Sequence, residues 1–278
     1  MNGAKAPETP SPVLQEKTVT PETLPTVIGA DEGYDGLSQV TINPDSQLKA
    51  ENIRSGKTIF GVDGTFEGTV TQGDKFAKLV DGTITDITVE DLGSITLIDD
   101  YKFKDCKSLT TVSMPDTVIN IYGSAFYSCQ QLSEVNFSAN LAYIGPYAFY
   151  ECPIRTISLP NTVTYLGSDC FRSNSSLTSL TLPEGLKTIP YNCFYFCYNL
   201  TSVTIPASIV QIDSSAFEIC RALTSVIMKP TTPPTLGSNV FADTNANLVI
   251  TVPKGSLTAY QTASNWSAYA DKMVEANE

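Results

Sequence analysis

The sequence predicts a repeat solenoid, mostly β with short helical turns, preceded by a small β-rich module and closed by a C-terminal helical cap. Three observations predict it. A phenylalanine recurs at Phe103, Phe126, Phe149, Phe171, Phe194, Phe217 and Phe241, at intervals of 23, 23, 22, 23, 23 and 24 residues. A segment of apolar and small polar residues travels with it: LTTVSMP from Leu109, IRTISLP from Ile154, LTSLTLP from Leu177 and LTSVTIP from Leu200. Five cysteines, Cys106, Cys129, Cys152, Cys197 and Cys220, each stand three residues after one of those phenylalanines. A unit of this size cannot bury its apolar face alone, but stacked units can, with like residues forming ladders along the stack.

Four segments follow in order. Residues 1–16 are rich in proline (Pro7, Pro10 and Pro12) and read as an extended, unpacked lead. Residues 17–72 alternate β-prone residues with turn signals at Asp31-Glu32-Gly33 and Asp35-Gly36. Within them a short helix is expected over Gln47 to Arg54, and two short strands about the Asp63-Gly64 turn. Residues 73–253 hold about seven repeat units. Each begins with a β run closed by proline, as in Val112-Ser113-Met114-Pro115. A second apolar pair follows (Val118 and Ile121, Val163 and Leu166, Ile209 and Ile212), then a tight turn and an A-F-x-x-C helical turn. Worn copies flank the series, ITDITVE from Ile84 and LVITVP from Leu248. Residues 254–278 read as a helical cap after a Pro-Lys-Gly turn, with Trp266, Tyr269 and Met273 on one helical face.

Composition excludes several functions. The net charge is −12 with only 17 Lys and Arg, so the clustered cations that neutralise phosphate are missing and nucleic acid is not expected as a partner. The chain has no histidine, which removes the commonest general base, the commonest metal ligand and every Ser-His or Cys-His pair. No catalytic residue, metal ligand or cofactor is therefore expected. A carboxylate pair drawn from Asp99, Asp116 and Glu134 would need a separation of roughly 5 to 9.5 Å within a cleft, and a flat ladder of Ser and Thr offers none. Asp99, Asp100 and Asp105 read as a solvated acidic rim before they read as a Ca²⁺ site. No apolar run approaches the roughly 20 residues of a membrane span, and MNGAKAPETPSPVLQEK lacks the apolar core of a signal peptide.

The ladder cysteines, with Asn174 and Thr244 at the equivalent places in other copies, mark a small, semi-polar, inward position. Cys170 and Cys193 stand where AF copies have Ala. All seven are expected as free, buried thiols; there is no C-x-x-C pair for a metal. The unit L-T-S-V-T-I-P…I…S-A-F…C resembles the BspA-like leucine-rich repeat family of bacterial surface proteins over Ile84 to Pro253, and Val252 to Met273 is similar to that family's C-terminal ending. The resemblance implies a leucine-rich-repeat-like fold, adhesion and recognition, and no catalysis. Residues 17–72 resemble a small β module of bacteriophage tail or virion-surface proteins, which implies attachment or assembly.

Two surfaces compete as the binding site. One is aromatic: Tyr127, Tyr150, Tyr191, Tyr195, Phe196 and Tyr198, in a region (101–198) that holds ten of the thirteen tyrosines. Tyr-rich surfaces give large contact area at low entropic cost, although such rings also pack flat over their own rungs. The other is the outward side of the β runs: Thr111, Ser113, Glu134, Asn136, Thr156, Ser158, Ser179, Thr181, Ser202 and Thr204. That side suits a glycan or another polar surface, yet Thr and Ser are also simply tolerated on exposed strands. The expected function is non-enzymatic recognition or adhesion on a virion surface, as a phage tail or head component. The solenoid then meets a host-surface protein or glycan, and residues 1–72 meet the virion scaffold and sister chains. A bacterial cell-surface adhesin and a purely structural spacer are the alternatives.

Overall fold

A computed structural model describes residues 85–277 and, of the chain before them, the strands Leu14–Val19, Gly36–Ile42, Thr58–Ile59 and Val62–Asp63. The chain divides into two compact units, Met1–Asp74 and Lys75–Glu278.

In the first unit Leu14–Val19 pairs in parallel with Gly36–Ile42, so a strand begins inside the stretch read as an unpacked lead. Thr58–Ile59 and Val62–Asp63 are antiparallel, with Thr58 opposite Asp63. Asp63, expected in a turn with Gly64, is a strand residue here, and Gly64 lies outside the described residues. The helix expected over Gln47 to Arg54 lies outside the described residues.

The second unit is a parallel β-solenoid of about eight turns with few helices. Each rung has three sides. The first is a longer strand: Asp86–Ile87, Thr111–Ser113, Glu134–Asn136, Thr156–Ser158, Ser179–Thr181, Ser202–Ile205, Ser225–Met228 and Val249–Val252. Their buried residues, Val112, Val135, Ile157, Leu180, Val203 and Val226, alternate with outward Ser, Thr, Glu and Asn, the period of two that a half-buried strand requires. The second side is a two-residue strand: Leu97–Ile98, Asn120–Ile121, Tyr143–Ile144, Tyr165–Leu166, Thr188–Ile189, Gln211–Ile212 and Thr235–Leu236. All these pairings are parallel and in register.

The third side holds the recurring phenylalanine. It is not the helical turn the sequence suggests. The residues two before and two after each phenylalanine have positive φ: 55° at Ser124 and 57° at Ser128, 56° at Tyr147 and 55° at Glu151, 54° at Asn192 and 61° at Phe196. Left-handed residues four apart break a right-handed helix before it completes a turn. They also swing their N–H groups along the stack. Ser124, Phe126 and Ser128 donate to the carbonyls of Pro146, Ala148 and Tyr150 on the next rung, at 2.8, 2.8 and 2.7 Å. The same three bonds recur at every junction from Tyr101 to Ala242.

Inside, the seven phenylalanines stack in one column, with centroids 5.0, 5.0, 5.4, 5.7, 5.3 and 5.8 Å apart. Each is buried, which stabilises the fold by roughly 2–3 kcal/mol per ring. Where the chain passes from the short strand into the turn at Gly145, Gly167 and Gly237, neighbouring backbone approaches too closely for a side chain. A Cβ on Gly167 would lie 2.3 Å from the nitrogen of Pro146.

In the first rung, Thr88 caps the short helix Val89–Leu92 through a capping box with Asp91, and Leu92 is buried. At the end, a helix Leu257–Thr262 and a 3₁₀ helix Trp266–Lys272 lie over the last rung. The first helix stops where Ala263 turns extended, and Asn265, left-handed at φ 64°, precedes the second, so the expected helical face of Trp266, Tyr269 and Met273 is not one face. Trp266 and Tyr269 meet Phe241, while Met273 belongs to a strand, Met273–Glu275, added to Val249–Val252. The Trp266 indole donates to the Pro234 carbonyl and the Tyr260 hydroxyl to that of Pro230, both at 2.7 Å, so neither buried polar group is wasted.

Candidate functional site

The seven cysteines are free and buried. Their column has a definite bonding role. Four of these thiols donate to the carbonyl of the previous rung's phenylalanine: Cys129 to Phe103 and Cys152 to Phe126 at 3.0 Å, Cys220 to Phe194 at 3.2 Å and Cys197 to Phe171 at 3.6 Å. Asn174 takes the same place with a stronger donor, its amide reaching Phe149 at 2.8 Å. Cys170 and Cys193 lie side by side with sulfurs 3.4 Å apart. Burial pushes the Cys106 thiol up to about 11 and the Cys220 thiol up to about 12, so neither supplies a thiolate nucleophile near neutral pH. Asp99, Asp100 and Asp105 do not gather into a metal-holding group; among the described residues no such cluster of His, Cys, Asp or Glu occurs. Asp116 serves the fold, accepting from the Ala139 N–H at 2.9 Å.

The aromatic candidates lie along the turn side and fall into two kinds. Tyr127 and Tyr150 stack flat on each other, 4.7 Å apart and 6° from parallel. Lys104 caps one end of that pair, 5.2 Å from the Tyr127 ring. Arg172 lies at the other end, 5.7 Å from Tyr150 and 4.7 Å from Tyr195. Cations and rings thus share one column through five rungs, in the order Lys104, Tyr127, Tyr150, Arg172 and Tyr195, each cation–ring contact worth about 0.5–1 kcal/mol. Arg172 is the hinge of this column and was missed as a site residue, although its place in the Tyr series was visible. It pairs at 3.1 Å with Asp169, which is buried and also accepts from the Asn192 amide. Burial works against its charge, but the Asp169 bond and the neighbouring tyrosines raise the guanidinium pKa on balance. Burial likewise raises the Tyr127 hydroxyl.

Tyr195, Phe196 and Tyr198 form a second group. Tyr195 meets Phe196 edge-on at 4.4 Å, and Phe196 meets Tyr198 at 5.3 Å. Arg221 sits over Tyr198 at 5.5 Å. Here the rings are also displayed: Tyr191 is 49% exposed and Tyr198 36%, whereas Tyr127, Tyr150, Tyr195 and Phe196 are half-buried.

The hydroxyl-rich candidates all face outward from the longer strands, in register as Thr111 opposite Glu134, Ser113 opposite Asn136, Thr156 opposite Ser179 and Ser158 opposite Thr181. Ser202 and Thr204 stand opposite Ser225 and Ile227. The face is not continuous. Its ladder is interrupted between Glu134–Asn136 and Thr156–Ser158, where the interval between Cys152 and Ile154 is one residue shorter than between Cys129 and Leu132. A groove of about 430 Å³ opens there, lined by Glu134, Asn136, Arg155, Thr156 and Ser158. The Asn136 amide already serves Ser113 and Glu134, at 3.2 and 3.3 Å.

Rungs of this construction, stacked in parallel and capped over the last rung, define a repeat solenoid of the leucine-rich-repeat class. The chain belongs to the BspA-type leucine-rich repeat region family, whose model matches in six copies over residues 80–153, 96–224 and 142–263. Three solved structures are similar. A leucine-rich repeat protein of T. pallidum is 25% identical over 58% of this chain and 70% of its own, with a TM-score of 0.47. One from Bacteroides ovatus is 19% identical over 71% and 61%, with a TM-score of 0.47. A leucine-rich cell surface protein from Faecalibacterium prausnitzii is 26% identical over 54% and 49%, with a TM-score of 0.42. The chain therefore spans less than two thirds of the latter two. No curated protein matches it. Among the described residues no helix is long and apolar enough to cross a membrane.

Proposed function

We propose that this chain is a non-enzymatic recognition protein displayed on a surface, with the turn side around Tyr191 and Tyr198 as its protein-binding face. One observation carries the reading. Tyr191 and Tyr198 stand exposed on a rung where Tyr198 is held by Phe196 at 5.3 Å and by Arg221 at 5.5 Å, and where Tyr195 is held by Arg172 and Phe196. Rings held in place before binding lose little entropy when they are covered, which is what makes tyrosine an effective anchor. The hydroxyl-lined groove at Glu134 and Thr156 is a second, more polar contact on the same stack of rungs. Residues 1–72 attach the chain to its scaffold and to sister chains. The resemblance of that segment to virion-surface modules favours a phage particle over a cell wall.

Peptide mass spectrometry on purified virus-like particles and on washed cell envelope from the same culture tests the display. Fixed stoichiometry in particles supports the virion reading; recovery in the envelope alone overturns it in favour of a cell-surface adhesin. The binding face is tested by Tyr191→Ser with Tyr198→Ser. Attachment of the folded chain to host cells should be lost, and attachment at the wild-type level would leave the solenoid as a spacer.

A further inference from the structure

The short-strand side carries an aromatic feature separate from the turn side. The residues opening the short strands stand in register, Asn120, Tyr143 and Tyr165 in one row and Thr188, Gln211 and Thr235 in the next. Tyr143 and Tyr165 stack at 4.7 Å, only 2° from parallel. One face of Tyr165 is thereby covered. The following rung offers only the small Thr188 at that place, so the other face is bare and Tyr165 is 48% exposed.

The backbone opens at the same point. Gly145, Gly167, Asp213 and Gly237 each donate to the last carbonyl of the preceding short strand, those of Ile121, Ile144, Ile189 and Ile212, at 2.7 to 2.9 Å. At the corresponding place on the intervening rung stands Pro190, which has no N–H to give to the Leu166 carbonyl. Tyr165–Leu166 and Thr188–Ile189 consequently fall into separate sheets. A groove of about 300 Å³ lies across the gap, lined among others by Tyr165, Thr164, Ser168, Lys187, Thr188 and Asp213. The Gln211 amide holds the Asp213 carboxylate.

We propose that this groove binds a pyranose unit of a neutral glycan. A sugar ring presents an apolar C–H face and a rim of hydroxyls that both donate and accept. The groove offers the matching set: an open aromatic face, hydroxyls at Thr164, Ser168 and Thr188, an acceptor at Asp213 and a donor at Lys187. Lys187 and Asp213 cancel in charge, which selects against an ionic ligand. The volume lies at the lower limit of small-ligand sites and suits one or two sugar units. The groove adjoins Tyr191, which follows the lining residue Pro190, but it does not include Tyr198, so a variant at Tyr198 distinguishes this site from the proposed protein-binding face.

Saturation-transfer NMR on the full chain tests this, with the methyl glycosides of glucose, galactose, mannose and N-acetylglucosamine as probes. At least one should receive saturation at its ring C–H protons. Tyr165→Ser should weaken that binding by about tenfold, the loss expected for one aromatic contact, and Asp213→Asn should weaken it by about threefold or more, in the range of a single hydrogen bond. Tyr165→Phe, which keeps the ring and the stack on Tyr143, should bind like the parent chain and so separates loss of the ring from loss of the fold. Binding unchanged in Tyr165→Ser, or no transfer to any glycoside, overturns the proposal. Binding lost in Tyr198→Ser but retained in Tyr165→Ser would move the sugar to the turn side, overturning this site while leaving the proposed function standing.

Discussion

Along the turn side, three backbone hydrogen bonds cross every junction from Tyr101 to Ala242, and a column of seven phenylalanines runs beneath them. Along the two strand sides, the ladders break between Asn136 and Thr156, between Thr181 and Ser202, and between Leu166 and Thr188. The strands are the regular structure, yet the turns are the continuous thread. The difference teaches where a solenoid tolerates irregularity. A rung can lose a residue near Pro153, or a donor at Pro190, because its turn still grips both neighbours. Two of those breaks leave grooves of a size to hold a ligand.

That contrast sets an order of expected effects. Phe171→Ala removes a ring stacked on both sides and should cost about 4 kcal/mol in urea unfolding. Thr181→Ala on the strand face should stay within about 0.5 kcal/mol, and equal losses at both would erase the distinction. Gly167→Ala should cost about 3 kcal/mol, because its Cβ meets backbone that belongs to the turn of another rung; a smaller cost would mean that the turns can slide apart.

The thiol column gives a pH dependence. Cys106 and Cys220 keep their protons in the folded chain up to about 11 and about 12, against an ordinary 9.0. Above pH 9 the unfolded chain releases those protons and the folded chain does not, so stability is full below that pH and falls as pH rises toward 11 and 12. A loss of about 1 kcal/mol per pH unit or more is expected from urea titrations at pH 8.5, 9.5 and 10.5, and a flat profile would put these thiols in contact with water. The smallest effect is a gain. Ile219, β-branched at φ 61°, occupies one of the left-handed positions, and Ile219→Asn should raise stability by about 1 kcal/mol.

Much of this was legible in the sequence. The Phe interval reports the stack, because inward ladder positions keep one residue type. The Thr and Ser at alternate strand positions report the outward face for the same reason. The turn geometry was harder to read. Its left-handed positions do hold Asp105, Asp169, Asn192, Asn239 and Asp243, residues that tolerate positive φ, but they also hold Ser124, Tyr147, Glu151, Phe196 and Ile219, which the stack forces there. A-F-x-x-C therefore looks like a helical turn to any reading based on spacing. The tyrosines, crowded in sequence, separate in space. Tyr127, Tyr150 and Tyr195 follow the column of phenylalanines, while Tyr143 and Tyr165 start short strands. Which of them keep a free face depends on the neighbour one rung away, Arg172 in one case and Thr188 in the other. Pro190 was plain in the sequence, but a missing N–H matters only once its acceptor on the preceding rung is known.

The central claim is that the turns, not the sheets, bind rung to rung. Native-state hydrogen exchange tests it most directly. The amides of Phe126, Phe149, Phe171 and Phe194, each bonded to the next rung's turn, should exchange only with global unfolding, while strand amides beside the interruptions, such as those of Thr156 and Thr188, exchange by local opening. Slower exchange at Thr156 and Thr188 than at the four phenylalanines would contradict the account.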